Sequence, residues 1–349
     1  MAAAGRRRGF VPSSPDAFDR RYFSFDFLPF DRPRKLIDSR GSLLLFNHGP
    51  WGNNRFDYHQ SRGFPDLIVC EPLTRRFQGI VSLSALKWKL FIGAFLVAGE
   101  NGGGGGISLS NYRVVCVLGD NIGIGGPRAC VFFPGSDGGW HMGRLADDDD
   151  VVHLHGPTYG RWPSYELAGR AAGKIYWWMN EAGVLALDET TLRFSTMELP
   201  QDMSYGPLNF RVINGVDGAG AVRVVTVFGE DFMVYSKIVD TDGSGSEWVT
   251  ERSLRLSDAT SELPGHKATF FEKPAKIVMA DDRFVTLAPE EDMNWRFSVD
   301  LETMELERDH ERNRDARPAY PYTLPPLQAI LRGCAGNGPD GTVATAKDR

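Results

Sequence analysis

His153-Leu-His155 puts two imidazoles on one face of any extended segment, and Asp147 to Asp150 stand just ahead of them, so metal binding is the first chemistry to weigh. A metal centre also needs a rigid third ligand. Four consecutive Asp have the composition of a solvated loop tip, so no metal is expected. Gly102 to Gly106 and Gly119 to Gly126 raise phosphate binding, but a P-loop needs Gly-Lys-Ser/Thr opening a helix, and a dinucleotide site needs G-x-G-x-x-G between strand and helix. Neither Lys nor a helical pattern follows Gly106, and Gly126 meets Pro127. Both clusters are read as loops. There is no G-x-S-x-G, and Gly243-Ser-Gly-Ser-Glu247 sits in a turn. The residues offer no catalytic group and no cofactor site, and the expectation is a protein that is not an enzyme.

Bulk properties narrow the partners. A formal net charge of -6, with no long run of Lys and Arg, repels phosphate backbones and anionic lipid, so neither nucleic acid nor membrane is expected. The four cysteines, Cys70, Cys116, Cys130 and Cys334, show no C-x-x-C spacing, and three lie in apolar runs where a reduced thiol behaves as a small hydrophobe. No N-x-[ST] acceptor occurs, and Arg6-Arg7-Arg8 has no apolar core behind it. A cytoplasmic or nuclear location is expected. The longest apolar run, Leu90 to Ala98, falls short of the roughly 20 residues that cross a bilayer.

Three distant stretches spell one turn: Glu71-Pro-Leu-Thr74, Asp188-Glu-Thr-Thr191 and Asp300-Leu-Glu-Thr303. They recur roughly every 115 residues, and between them lie two hairpins that end in Trp140 and Trp248. The five anchors Thr74, Trp140, Thr191, Trp248 and Thr303 step by about 57 residues, a period typical of blades or arrays. In such a turn the carboxylate accepts backbone N–H groups two or three residues on, and Thr suits the exit and can bond back. The motif is structural: it holds a hairpin together.

Around these anchors run short segments rich in Val, Ile, Phe and Tyr, broken by Gly. Gly173-Lys-Ile-Tyr-Trp-Trp178, Val184-Leu-Ala-Leu187 and the strands flanking them fit four strands into about 35 residues. Phe210 to Leu254 repeats that layout, and Ala275 to Val299 begins a fifth unit. Phe23-Ser-Phe25-Asp-Phe27 alternates like a strand. Trp177 and Trp178 point to opposite faces of theirs, one into the core and the other toward a surface or a neighbouring sheet. Helical periodicity is nearly absent; the best candidate is Pro326 to Leu331. The fold expected is all-β and β-propeller-like, of the kelch or galactose-oxidase type, with about five to six blades of four antiparallel strands. Residues 1–35 form an N-terminal arm, partly disordered, that could close the ring. Residues 36–331 form the propeller-like domain, and 332–349 a disordered tail.

Gly41-Ser-Leu-Leu-Leu-Phe46, Val69-Cys-Glu-Pro-Leu-Thr-Arg-Arg76, Leu185 to Phe194 and Tyr320-Pro-Tyr-Thr-Leu-Pro-Pro326 resemble the F-box-associated domain of plant F-box proteins, particularly the grass-expanded branch. The resemblance spans about Arg40 to Leu331. It implies a propeller-like module without catalytic residues, which serves as the substrate-recognition end of a cullin-RING ubiquitin ligase. The forty or so residues before the first strand lack amphipathic helical periodicity, so an F-box is not expected there, and ligase subunits would be partners only if one is supplied. The partner is then an unknown protein substrate. Trp51, Phe56, Tyr58, Tyr159, Arg161 and Trp162, in long polar loops, are the candidate partner-binding residues. The alternative is a carbohydrate-binding or carbohydrate-acting propeller, which would want carboxylates and His converging on a central channel.

Overall fold

The computed structural model describes residues 25–29, 34–48, 64–81, 89–99, 107–119, 127–134, 139–142, 165–179, 183–200, 203, 209–216, 221–239 and 246–309. Their twenty strands form five antiparallel four-stranded meanders. The first is β1 (Arg34–Arg40), β2 (Leu43–His48), β3 (Asp66–Glu71) and β4 (Arg76–Ile80). The second is β5 (Leu90–Ala98), β6 (Tyr112–Gly119), β7 (Arg128–Phe132) and β8 (Trp140–Met142). The third is β9 (Tyr165–Ala171), β10 (Lys174–Met179), β11 (Gly183–Asp188) and β12 (Phe194–Met197). The fourth is β13 (Phe210–Asn214), β14 (Val222–Phe228), β15 (Asp231–Val239) and β16 (Ser246–Arg255). The fifth is β17 (Lys276–Ala280), β18 (Phe284–Ala288), β19 (Phe297–Asp300) and β20 (Leu306–Arg308). These elements fall into two compact units, one holding β1–β8 and the other β9–β20.

In the first unit, alternation along the strands splits each sheet into two faces. Leu43 and Leu45 of β2 and Leu67 and Val69 of β3 share one core with Tyr112, Val114, Cys116 and Leu118 of β6. Leu44, Phe46, Ile68 and Cys70 face the other way and pack under Leu28, Phe25 and Phe27. The described part of the segment read as an aromatic strand is therefore a turn: Leu28 N donates to Phe25 O, and Phe25 meets Phe46 edge-on at 5.3 Å. Adjacent Phe27 and Leu28 are both wanted on one apolar surface, which a strand's alternation forbids, and Pro29 has no N–H for a ladder.

In the second unit the fourth sheet is covered on both faces. Val224 and Tyr235 pack against the third sheet's Tyr176, Trp178 and Val184, while Val225, Val227, Phe232 and Val234 pack against Ile277, Leu287 and Phe297 of the fifth. Each large side chain buried this way contributes about 1.5–3 kcal/mol. Both tryptophans of β10 are core residues: Trp178 meets Phe210 edge-on at 5.8 Å, and Trp177 is buried on the opposite face. Neither reaches a surface.

Two devices recur from sheet to sheet. The first strand of four meanders carries a bulge, with Ile37, Ile92, Ala168 and Val278 as the extra residue, which bends the strand and raises its twist. The tryptophan anchors are latches: Trp140 Nε1 on β8 donates to Val81 O just past β4 (2.9 Å), and Trp248 Nε1 on β16 donates to Glu198 O just past β12 (3.0 Å). In each case the last strand of one sheet is bolted to the end of the last strand of the sheet before it. The third and fourth sheets also join through one parallel bridge, Gly169 to Val212.

Between β16 and β17 lies a segment the periodicity gave no sign of: α1 (Leu256–Ala259) and a 3-10 turn, Ala268–Phe271. Leu256, Phe270 and Phe271 plug the core against Trp295, which stands ahead of β19 rather than within it. No described helix is long and apolar enough to cross a membrane.

Candidate functional site

The three Asp/Glu-x-x-Thr turns each join the third and fourth strands of a sheet, at the same end as the turn between its first and second strands. Asp188 Oδ1 accepts from Thr190 N (3.0 Å), Thr191 N (2.7 Å) and the Thr191 hydroxyl (3.0 Å). Asp300 Oδ1 accepts from Glu302 N (2.8 Å) and Thr303 N (3.2 Å). Glu71 works differently: its carboxylate, one methylene further from the backbone and buried, takes the hydroxyls of Thr74 (2.6 Å) and Ser42 (2.8 Å). In all three, the residue after Thr is left-handed, with φ of 55° at Arg75, 58° at Leu192 and 59° at Met304. The turn chemistry evidently outweighs the Cβ penalty, about 1 kcal/mol, in three unrelated side chains.

Each turn is tied to the first-hairpin turn beside it, by Ser42 to Glu71, Arg170 Nε to Glu189 (2.5 Å) and Arg283 Nε to Asp300 (3.2 Å). Asn214 then links neighbouring sheets, its amide accepting from Ala172 N (2.8 Å) and donating to both Asp282 oxygens (3.0 Å). One end of the second unit's sheets is thus a rigid, hydrogen-bonded surface. Val216 lies two residues past Asn214 and Phe284 two past Asp282, so two exposed apolar side chains come to that end of adjacent sheets. The Arg283 guanidinium covers the Phe284 ring at 5.0 Å. In the first unit Arg75 covers Phe27 at 5.2 Å beside exposed Phe77. Arginine over a partly exposed ring gives each end a cation–π pair at the surface.

Partial burial works against ionisation of Asp188, but the N–H groups of Thr191 and Thr190, the Thr191 hydroxyl and Lys174 hold its carboxyl below the usual range. The Glu302 and Thr303 N–H groups and Arg283 do the same for Asp300. Among the described residues, every carboxylate with a resolved shift is held low. Burial pushes the Arg211 guanidinium down to about 10 against the pull of Glu166, and Arg211 donates to Phe210 O (2.7 Å) and Ile277 O (3.3 Å), where it bridges β13 to β17. No described group of three or more His, Cys, Asp and Glu is placed to hold a metal.

The depressed Asp pKa values have a checkable consequence. A carboxyl whose folded pKa is lowered contributes stability that is present above about pH 4 and lost as pH falls through the folded value. The Asp188→Asn/Asp300→Asn double variant keeps an acceptor oxygen but does not titrate. Its unfolding midpoint should therefore drop less than the parent's between pH 5 and pH 2; parallel curves would deny the carboxylates that role.

Trp51, Phe56, Tyr58, Tyr159, Arg161 and Trp162, and His153 and His155, all lie outside the described residues. Val216, Phe284 and Arg283 were not singled out by sequence. The available signal was their place, just past or within a first-hairpin turn, where no sheet neighbour covers them.

Solved structures that align with the chain include an auxiliary nutrient binding protein from Bacteroides ovatus (11% identity, TM-score 0.36), covering 81% of this chain and 60% of that one. Others are an exo-β-1,3-galactanase from Clostridium thermocellum (12%, TM-score 0.34, covering 78% and 60%) and an α-L-arabinofuranosidase from Fusarium graminearum (10%, TM-score 0.40, covering 82% and 82%). The chain thus spans about three-fifths of the length of the first two. No curated protein matches it by sequence. Residues 127–324, more than half of the chain, match the family model described as F-box protein AT5G49610-like, β-propeller. The chain belongs to that β-propeller family.

Proposed function

We propose that the chain is a non-enzymatic recognition module that binds a protein, as the substrate-binding part of an F-box ubiquitin-ligase adaptor does. The observation that carries this reading is the family match over residues 127–324. It is supported by a rigid turn-bearing end that displays Arg283, Phe284 and Val216, and by carboxylates held low rather than poised for proton transfer. The finer form of the proposal is a kelch-type ring of five to six blades, working in the cytoplasm or nucleus. Its partner surface includes the loops carrying Trp51, Phe56, Tyr58, Tyr159, Arg161 and Trp162. Cullin-RING subunits join only where an F-box is supplied.

The test is quantitative affinity capture from plant extract with the parent chain, Phe284→Ala and Arg283→Ala. Hot-spot residues of this type cost roughly 1–3 kcal/mol on truncation, so recovery of the bound protein should fall about tenfold for both variants, while the unfolding midpoint stays put for Phe284→Ala; Arg283→Ala also loses its contact with Asp300 and should lower the midpoint slightly. A glycan rather than a protein on the chain, or capture indifferent to both variants, would contradict the reading.

A further inference from the structure

Cys116 and Cys130 are direct partners across the β6–β7 ladder. Both are fully buried, and both face the same core, between the first and second sheets. Directly opposed residues in an antiparallel pair have Cα atoms about 4.5–5.5 Å apart, inside the roughly 4.4–6.8 Å that a disulfide spans. Cys70, equally buried, faces the opposite side of its own sheet, in the core beneath Phe25 and Leu28, so it stands as a built-in comparison.

We propose that Cys116 and Cys130 are a redox pair, which closes to a cross-strand disulfide when the chain meets a peroxide. One thiol takes oxygen from hydrogen peroxide, giving a sulfenic acid and water. The second thiol then attacks that sulfur, forming the S–S bond and releasing a second water. Two thiols thus lose two protons and two electrons, and one peroxide is reduced to two waters. The Cα spacing of a directly opposed pair lies within the range that such a bond spans. Burial, with the Cys130 thiol beside it, pushes the Cys116 thiol up and keeps the thiolate scarce. The pair therefore answers slowly, to sustained oxidation rather than brief pulses. Once closed, it encloses the Gly119 to Gly126 stretch in a short loop. The unfolded chain loses freedom and the folded second sheet is held shut.

The full chain carrying Cys334→Ala, which removes the remaining thiol outside the three buried ones, is incubated with hydrogen peroxide under native conditions, then alkylated in denaturant and mapped by mass spectrometry. The expected product is a peptide joining Cys116 to Cys130, lighter by two hydrogens than its parts and restored by dithiothreitol, with Cys70 fully alkylated. The oxidised chain should also unfold several degrees higher than the reduced one, a rise that Cys130→Ala abolishes. Alkylation of both thiols after prolonged exposure, irreversible sulfinic acid in place of the link, or a link to Cys70 would overturn the proposal. The peptide map on the Cys334→Ala chain, which keeps both Cys116 and Cys130, decides the matter even if Cys130→Ala folds poorly.

Discussion

Gly169→Ala should lower the unfolding midpoint by roughly 8 °C, corresponding to about 3 kcal/mol, without changing any exposed side chain. Gly169 has φ of +148°, where an L side chain is strained. An added Cβ would also stand 2.0 Å from Val212 O and 2.9 Å from the Val212 carbonyl carbon. These are backbone atoms and cannot swing aside. Alanine must therefore part β9 from β13 and break the parallel bridge that joins the third sheet to the fourth. The bulge at Ala168 brings Gly169 to that approach, so the glycine is demanded by the neighbouring sheet and not by a turn. Gly173, with φ of +70° and nothing within 4 Å of an added Cβ, is the control. Its alanine variant meets backbone strain alone and should cost only about 1 kcal/mol. Equal midpoints for the two variants, measured by circular dichroism, would mean that β9 and β13 do not meet as described.

Trp295→Ala should be the most damaging single truncation in the second unit, at about 3–5 kcal/mol. The indole packs on Phe270 (4.8 Å) and Phe297 (5.3 Å), lies under the Arg308 guanidinium (4.8 Å) and donates from Nε1 to Pro264 O (3.1 Å). It is the post on which the Leu256 to Phe271 segment is hung. Its loss should expose the Pro264 to Phe270 part of that segment to protease below the temperature of global unfolding, because Phe270 and the Pro264 carbonyl both lean on the indole. Trp295→Phe retains most of the apolar contact and loses the N–H donor. Pro264 O still accepts from Arg308 Nη1 (2.9 Å), so the cost should fall to about 1 kcal/mol. Limited proteolysis with peptide identification distinguishes the cases; cleavage elsewhere in the chain for Trp295→Ala would deny the tryptophan this role.

What could be read from the sequence was what depends on near neighbours. The Asp188 and Asp300 turns are made by a carboxylate and the N–H groups two and three residues on, so the pattern suffices to propose them. The left-handed residue after Thr escaped notice because Arg75, Leu192 and Met304 share no feature that favours it. The bulges at Ile37, Ile92, Ala168 and Val278 were equally silent, since the packing of one sheet on the next sets them. Alternation misled at Phe25 and Phe27, where a turn meets the same need for burial, and it could not show that β10 is covered on both faces. The Leu256 to Phe271 segment is too short for a helical period to declare itself. The surface residues were hardest to find, because exposure of Phe284 or Val216 depends on which sheets stand beside them.

The regular exchange of Thr-type turns and tryptophans along the chain is, physically, an alternation of sheets in which each tryptophan-bearing sheet is bolted to its predecessor. Hydrogen exchange at the indole N–H groups, followed by NMR with selectively labelled tryptophan, reads those bolts directly. Trp140 and Trp248 should show indole protons exchanging far more slowly than free tryptophan, and Val81→Pro or Glu198→Pro should speed only the latch whose carbonyl it displaces. Indole protons of Trp140 and Trp248 that exchange at the free rate would contradict the stacked and latched arrangement.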